Sequence, residues 1–429
     1  MTEDAGKPQA ATALAPAPDS VGAVSVDPCG RLVVPADALV RAGIAPGDEV
    51  VIDAGPEGLR IASDSLRKVY VETTSHCNLD CPMCVRHGWQ EPVGHMPVDR
   101  FERLIGGVPV TDAGALTLAF GGFGEPLVHP EWRDLFDLAR ARRLRVELVT
   151  NGLLVDAATA MEIALAGVSQ VTVSVDGGDA ATYMRMRGAS LDGALAAVRH
   201  LLDARCHTRR PMAFGVAAVL SRSSAGGLPA LLEWASDLKI DFVSIGNLVP
   251  HTQEMASEIL WERTGWASAF LRSSWRPQMR VGRFDVEDAT RPLAAALAGR
   301  GLTYPSPFGD DLRWRNRCRF AHEGMCAVAW DGRVSPCLSL LHEHAEHINS
   351  QVRRVHQHVV GHIDERPLAV IWRDSGFRAF RRRLRAFDFP ACFHCGGCPL
   401  TESNVEDCYG NPAPVCGECL WAQGIVLCP

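Results

Sequence analysis

The chain has 429 residues, 47% of them hydrophobic, and a formal net charge of −7. That length supports two or three domains with sizeable cores, and the mild acidity excludes a global electrostatic affinity for nucleic acid or an anionic membrane. No apolar run approaches the roughly 20 residues of a membrane span, and the opening Met1-Thr2-Glu3-Asp4 lacks the basic-then-apolar pattern of a secretory signal.

A cytoplasmic location is therefore expected. In that reducing pool the 15 cysteines point to metal or redox chemistry rather than disulfides. They cluster as Cys77, Cys81 and Cys84, then Cys318, Cys326 and Cys337, then seven from Cys392 to Cys428. Cys29 and Cys206 stand alone and are expected to be small packed side chains.

Taken in order, residues 1–22 are Ala-, Pro- and Asp-rich without periodicity and read as a disordered leader. Short β runs punctuated by Gly30, Gly47 and Gly58 imply a small β-rich unit over 23–65. Through Gly30-Arg31, Val34-Pro35 and Pro46-Gly47-Asp48 this unit resembles the AbrB-like swapped-hairpin fold, a family whose members dimerise and bind DNA. Here Arg31, Arg41 and Arg60 are outnumbered by Asp27, Asp37, Asp48, Glu49, Asp53 and Glu57. Duplex binding needs clustered cations to displace counterions, so DNA is disfavoured and a homodimer or docking role is the better expectation.

From 66 to 250 strand-like runs at 69–73, 116–120, 145–149, 170–175, 213–220 and 242–247 alternate with amphipathic helices. Trp132, Leu135, Phe136 and Ala139 share one helical face; Leu191–Leu202 and Leu228–Leu238 repeat the pattern. Six serial β/α units predict an α/β fold, a parallel sheet curled into an open or closed barrel with its site at the C-terminal strand ends.

The first strand leads into Cys77-Asn-Leu-Asp-Cys81-Pro-Met-Cys84, a C-x₃-C-x₂-C loop. Three thiolates hold three irons of a cubane cluster and leave the fourth open to another ligand; a zinc loop is the competing reading. The second strand ends in Gly121-Gly122-Phe123-Gly124-Glu125, where glycines admit a close ligand and Glu125 offers an anion to an ammonium. Asn151 follows the third strand; Ser174 and Asp176 follow the fourth, with Arg185 and Arg187 shortly after. Together these groups suit amino, hydroxyl and carboxylate functions.

With this loop, Gly-Glu-Pro after the second strand, Thr-Asn-Gly after the third and Ser-x-Asp after the fourth, residues 66–250 resemble a radical SAM core, a partial (β/α)6 TIM-like barrel. The resemblance implies that Cys77, Cys81 and Cys84 ligate a [4Fe–4S] cluster. Its open iron would chelate S-adenosylmethionine, and reductive cleavage would give a 5′-deoxyadenosyl radical that abstracts hydrogen. It further implies that Gly121, Gly122, Gly124 and Glu125 hold the methionine amine. Asn151 joins them, Ser174 and Asp176 meet the ribose, and one of Arg185 or Arg187 meets the carboxylate. Phe123-Gly124 before the acid departs from the family's commoner Gly-Gly-Glu.

Residues 251–317, with Trp261, Trp266 and Trp275 and then Tyr304-Pro-Ser-Pro-Phe-Gly, are expected to bridge or close the barrel. Over 318–429, Cys318-x₁₃-Gly332-x₄-Cys337, with a hairpin through Asp331-Gly332, resembles the opening of a SPASM domain, which implies auxiliary iron–sulfur clusters. Cys392, Cys395, Cys398, Cys408, Cys416, Cys419 and Cys428 complete the supply. Two auxiliary [4Fe–4S] clusters need about eight thiolates. Nine are present from Cys318 onward without Cys326, and the partition is open. Zinc competes for the Cys-x₂-Cys pairs.

The tail, 404–429, above all Cys416-Gly-Glu-Cys419-Leu-Trp-Ala-Gln-Gly, resembles radical SAM maturases of tungsten-cofactor oxidoreductases of the aldehyde ferredoxin oxidoreductase type. It implies such an enzyme, or its pterin cofactor, as partner. Competing readings are a peptide-modifying relative and a DNA-binding redox sensor.

Arg378, Arg381, Arg382, Arg383 and Arg385 surround the helical stripe Phe377, Phe380, Leu384 and Phe387. They are expected to be a solvated face, or a dock for a ferredoxin or flavodoxin. The run His342–His347 reads as a surface loop.

Overall fold

The computed structural model describes residues 26–41, 44, 50–55, 58–108, 116–261, 278–282, 284–299, 316–348, 350–394 and 398–427. The leader, Gly47, Trp266, Trp275, Tyr304–Phe308, Cys395 and Cys428 lie outside them. The chain divides into two compact units, 1–64 and 65–429.

In the first unit an antiparallel hairpin joins β1 (Val50–Gly55) to β2 (Gly58–Ser63), and a short helix spans Ala36–Arg41. Gly30 takes φ +78°, the left-handed region glycine enters freely, in the turn that returns Arg31 to Asp27. Val26, Val33, Val40, Ile52 and Leu59 are exposed.

The second unit is built on one sheet. Its strands are β3 (Lys68–Val71), β4 (Thr117–Phe120), β5 (Arg145–Thr150), β6 (Gln170–Ser174), β7 (Ala213–Leu220) and β8 (Phe242–Asn247). Further along the chain come β9 (Gln278–Val281), β10 (Met325–Val328), β11 (Arg333–Ser335), β12 (His344–Ile348), β13 (Gln351–Val355) and β14 (Gly361–His362). The order is β14-β11-β10-β3-β4-β5-β6-β7-β8-β9, parallel from β10 to β9, while β12 and β13 form a separate hairpin. The six expected strands are therefore present and adjacent in sequence order, in an open sheet.

Two strands extend that plan. β9, from the expected bridge, pairs with β8, and β10 pairs in parallel with β3, so the C-terminal region shares the sheet of the core.

Apolar runs buried on both faces are what a parallel sheet demands, and Val69, Val71, Leu118, Leu148, Val171, Val173, Val216 and Val243 are all fully buried. The helix Trp132–Ala141 buries its stripe of Trp132, Leu135, Phe136 and Ala139 as its spacing predicts. Each fully buried Leu or Phe contributes roughly 2 kcal/mol. Asp156 starts the helix Ala157–Leu165 by accepting from the Thr159 backbone N–H at 2.7 Å.

Several surface expectations fail for identifiable reasons. Arg381, on the helix Ser375–Ala386, is buried: its guanidinium lies 3.8 Å from the Trp372 ring and 4.6 Å from the Phe377 ring and donates to the Trp372 carbonyl. Aromatic faces and a carbonyl replace its water. Arg383 likewise donates to the Pro412 carbonyl. His342, His344 and Glu346 are buried rather than looped at the surface. Cys29 and Cys206 are exposed rather than packed, one in the Asp27–Arg31 turn and the other on the helix Leu191–Thr208.

Candidate active site

The loops leaving β3 to β8 at their C-terminal ends surround one cleft of about 360 Å³. β3 supplies Cys77, Cys81 and Cys84; β4 supplies Gly121, Gly122, Gly124 and Glu125; β5 and β6 supply Asn151, Ser174 and Asp176; Arg187 reaches in from the helix Ala180–Arg187. Arg185 does not line it: its guanidinium is spent on the Thr182 hydroxyl and the Ser223 carbonyl, each at 3.1 Å.

The cysteine loop is braced from behind. The Glu125 backbone N–H donates to the His76 carbonyl at 2.8 Å, and a Cβ on Gly124 would stand 2.0 Å from the Thr74 carbonyl oxygen. Only glycine permits that approach. Asn151 Nδ2 donates to Asn78 Oδ1 at 2.7 Å and lies 3.9 Å from Cys77 Sγ. Arg187 Nη1 lies 3.9 Å from Cys81 Sγ. Burial pushes the Cys77 and Cys81 thiols up, and Arg187 pulls Cys81 back down.

Glu125 is buried, with Oε1 accepting from Thr150 Oγ1 at 2.7 Å and the Leu127 N–H at 3.2 Å, and Oε2 from the Asn151 N–H at 2.7 Å. Burial raises its pKa and those donors partly offset the rise. Its rotamer is fixed; Oε1 is filled by its two donors, and Oε2 retains one unused acceptor position. Asp176 is committed to the protein: Oδ2 takes Arg187 Nε at 2.5 Å and Oδ1 takes the Val219 N–H at 2.7 Å. It holds Arg187 in place, whose pKa rises because the Asp176 anion outweighs burial.

A second, enclosed cavity gathers Cys318, Cys337, Cys416 and Cys419 with Glu346 and Arg353. Cys318 precedes the helix Arg319–Glu323, Cys337 follows β11, and Cys416 and Cys419 come from the tail. Burial and neighbouring thiols hold Cys337 and Cys416 well above the usual thiol range; Arg353, 3.3 Å from Glu346 Oε2, and Arg383 pull Cys416 partly back down. Four thiolates gathered in one cavity, with Cys416 buried and the others partly so, need metal to neutralise them, and this donor set fits a fully ligated cluster. Cys326 is not among them. It sits in β10 opposite Val69, and burial alone lifts it to about 12 against a distant Arg381.

Cys392, Cys398 and Cys408 are described outside this cavity, with Cys408 exposed. Among the described residues no three His, Cys, Asp or Glu side chains are placed to share a single metal ion. A cube of irons takes its ligands at separate corners, and the loop thiols ring a cleft.

Two features lie outside the residues expected from the sequence. His342 is held between carboxylates, with Nε2 2.8 Å from Glu72 Oε2 and Nδ1 3.0 Å from Glu91 Oε2, and stacks on Trp89 at 4.0 Å. It ties the segment leaving β3 to the C-terminal region; nothing local in His342–His347 signals burial. His251, Trp421 and Leu338 also line the cleft. His251 lies just past a strand end, a signal available in the sequence.

The Radical SAM superfamily model matches residues 71–216, and the SPASM iron–sulfur cluster-binding domain model matches 318–399. The chain is 29% identical over 370 residues to the tungsten-containing aldehyde ferredoxin oxidoreductase cofactor-modifying protein of Pyrococcus furiosus, covering 85% of this chain and 97% of that one. It is 24% identical over 378 residues to an AdoMet-dependent heme synthase of Nitratidesulfovibrio vulgaris, covering 84% and 95%. Streptococcus suis SuiB, solved with S-adenosylmethionine, shares the fold at TM-score 0.53 and 16% identity over 79% of this chain and 72% of its own. No helix among the described residues is long and apolar enough to cross a membrane. The chain is a radical SAM enzyme, dependent on S-adenosylmethionine and a [4Fe–4S] cluster, with an iron–sulfur SPASM domain at its C-terminal end.

Proposed function

We propose that this enzyme matures a tungsten-cofactor oxidoreductase of the aldehyde ferredoxin oxidoreductase type, acting on that protein or its pterin cofactor. The observation that carries the reading is the length of the similarity to the Pyrococcus cofactor-modifying protein. A match of 370 residues includes Cys77–Cys84 and Cys318–Cys337 wherever it begins, so it spans both cysteine regions rather than the core alone.

In this reading Cys77, Cys81 and Cys84 hold the cluster whose open iron takes S-adenosylmethionine. When bound, that pair supplies the 5′-deoxyadenosyl radical that removes hydrogen from the substrate. Glu125, in its glycine cradle, receives the methionine ammonium; Arg187, oriented by Asp176, receives the carboxylate; Ser174 meets the ribose; Asn151 steadies the cysteine loop. Cys318, Cys337, Cys416 and Cys419 hold one auxiliary [4Fe–4S] cluster. Ligands for a second come from Cys392, Cys395, Cys398, Cys408 and Cys428. A ferredoxin or flavodoxin supplies electrons. The exposed apolar residues of unit 1–64 and its AbrB-like pattern support homodimerisation, and its acidic balance argues against DNA.

The test is to express a candidate tungstoenzyme with and without this protein under anaerobic conditions. Higher tungstoenzyme activity, with a mass change in the protein or its cofactor, is expected with it. Identical activity and mass would overturn the assignment, and a modified short peptide as product would favour the peptide-modifying alternative.

A further inference from the structure

His251 lies just beyond β8 and lines the same cleft as Cys77, Cys81, Cys84 and Glu125. Its Nδ1 sits 3.1 Å from the Ala345 carbonyl oxygen. A carbonyl only accepts, so Nδ1 carries the proton, and the neutral ring keeps its lone pair on Nε2. Among the described residues that nitrogen has no hydrogen-bond partner.

The ring's orientation is set twice, by the Ala345 bond and by an edge-on contact with His344, centroids 5.2 Å apart and planes at 81°. Burial, His344 and His347 push His251 down to about 4, against the upward pull of Glu346 and the Ala345 carbonyl. The ring is therefore neutral across ordinary assay conditions.

The cleft lining also includes Leu248, Val249, Leu338 and Val426, side chains with no donor for Nε2 and no hold on water. Filling the cleft strips water from that lone pair. An incoming molecule without a donor there leaves a buried acceptor unmet and binds more weakly.

We propose that His251 is a ligand-binding residue of the cleft, its Nε2 accepting a hydrogen bond from an N–H or O–H group of the bound molecule. Two molecules bring that chemistry: S-adenosylmethionine, through its adenine amino group, and the second substrate. The inference rests on the cleft as the radical SAM site, and only its second arm depends on the tungstoenzyme.

The experiment compares reconstituted full-length wild type, His251→Phe and His251→Gln at matched iron content. Phe keeps the ring bulk against His344 and deletes the acceptor; Gln returns an oxygen near the Nε2 position. The first arm measures equilibrium binding of S-adenosylmethionine and of its inosine analogue, in which a carbonyl replaces the amino group. If the donor is the adenine amino group, His251→Phe weakens S-adenosylmethionine roughly 10- to 100-fold, His251→Gln restores most of it, and only proteins with an acceptor discriminate against the analogue.

If the donor belongs to the second substrate, S-adenosylmethionine affinity and 5′-deoxyadenosine formed in its absence are unchanged. KM for the tungstoenzyme then rises roughly 10- to 100-fold in His251→Phe and recovers in His251→Gln. An unchanged His251→Phe in both arms overturns the assignment, as does a His251→Gln no better than His251→Phe in the arm affected. Should wild type fail to act on the tungstoenzyme, the proposed function falls, and the first arm alone decides His251: unchanged affinity there overturns it.

Discussion

The two cysteine sites are built on opposite plans. Cys77, Cys81 and Cys84 share one short loop at the rim of a broad cleft, beside a carboxylate, an amide and a guanidinium. Cys318, Cys337, Cys416 and Cys419 converge from three separate segments into an enclosed cavity whose other charged lining, Glu346 and Arg353, forms an ion pair. Three ligands and open space suit a cluster that must accept another molecule; four ligands without open space suit one that is held whole. Ligand number and access, more than the cysteines themselves, therefore separate a reactive site from a structural or electron-carrying one.

Anaerobically reconstituted wild type should hold about 12 irons per chain from three cubane clusters. Cys77→Ala should hold about 8 and form no 5′-deoxyadenosine, because in the proposed assignment the cluster lost is the one whose open iron engages the sulfonium cofactor. Cys416→Ala should also fall to about 8, yet keep reductant-dependent cleavage while melting at lower temperature, since a bound metal centre contributes directly to folding. Loss of cleavage in both variants at matched residual iron would erase the proposed division of labour.

Glu125→Gln sharpens the picture of the open site. A carboxamide must turn its NH₂ toward either the Asn151 N–H or the Thr150 hydroxyl and Leu127 N–H, all of which Glu125 now accepts from. It also removes the anion offered to an ammonium. Affinity for S-adenosylmethionine should fall by roughly 1–3 kcal/mol with iron content unchanged, measured by equilibrium binding. Wild-type affinity would show that the methionine amine is held elsewhere.

The same contrast governs what could be read from the chain beforehand. The open site was legible because its parts are local: a strand run, a cysteine loop, a glycine turn before Glu125, each visible within about ten residues. Arg187 was separable from Arg185 only by structure, because both lie on one helix and only one faces Asp176. The enclosed site was not legible, because pairing Cys318 and Cys337 with Cys416 and Cys419 depends on the tail folding back, and β10 joining β3 is a contact between distant segments. Charged side chains misled where the fold supplies unusual partners. Arg381 is buried against two aromatic rings, and His342 is buried between two carboxylates.

His342 links the two regions, and its titration should show in stability. Burial alone would lower its pKa, but the bonds to Glu72 and Glu91 outweigh burial and raise it to about 9. Burial dominates at Glu72, whose carboxyl is pushed up, while hydrogen bonds from His342 and Arg333 outweigh it at half-open Glu91 and hold that group at about 2. A histidine raised above its unfolded value of about 6.5 stabilises fully below that pH and loses the contribution as pH climbs through about 9. Wild type should lose on the order of 3 kcal/mol between pH 6.5 and 9.5 from this group, and His342→Gln should be less stable at pH 6.5 with a flatter profile. Denaturant titrations at both pH values read it; parallel profiles would show that the bridge does not titrate in this window.

The smallest effect on chemistry should come from removing residues 1–64. That compact unit contains only Cys29, and every residue lining the cleft and the enclosed four-cysteine cavity lies in 65–429. A chain beginning at Ser65 should keep its iron and form 5′-deoxyadenosine within about twofold of the full-length rate, as expected of a separable domain. The change should appear in association instead, because exposed Val33, Val40, Ile52 and Leu59 leave with it. Sedimentation of both chains at matched concentration measures this. A full-length dimer that becomes monomeric on truncation assigns the unit to assembly. An unchanged oligomeric state with reduced turnover on a tungstoenzyme, but not reduced cleavage, would assign it to substrate docking.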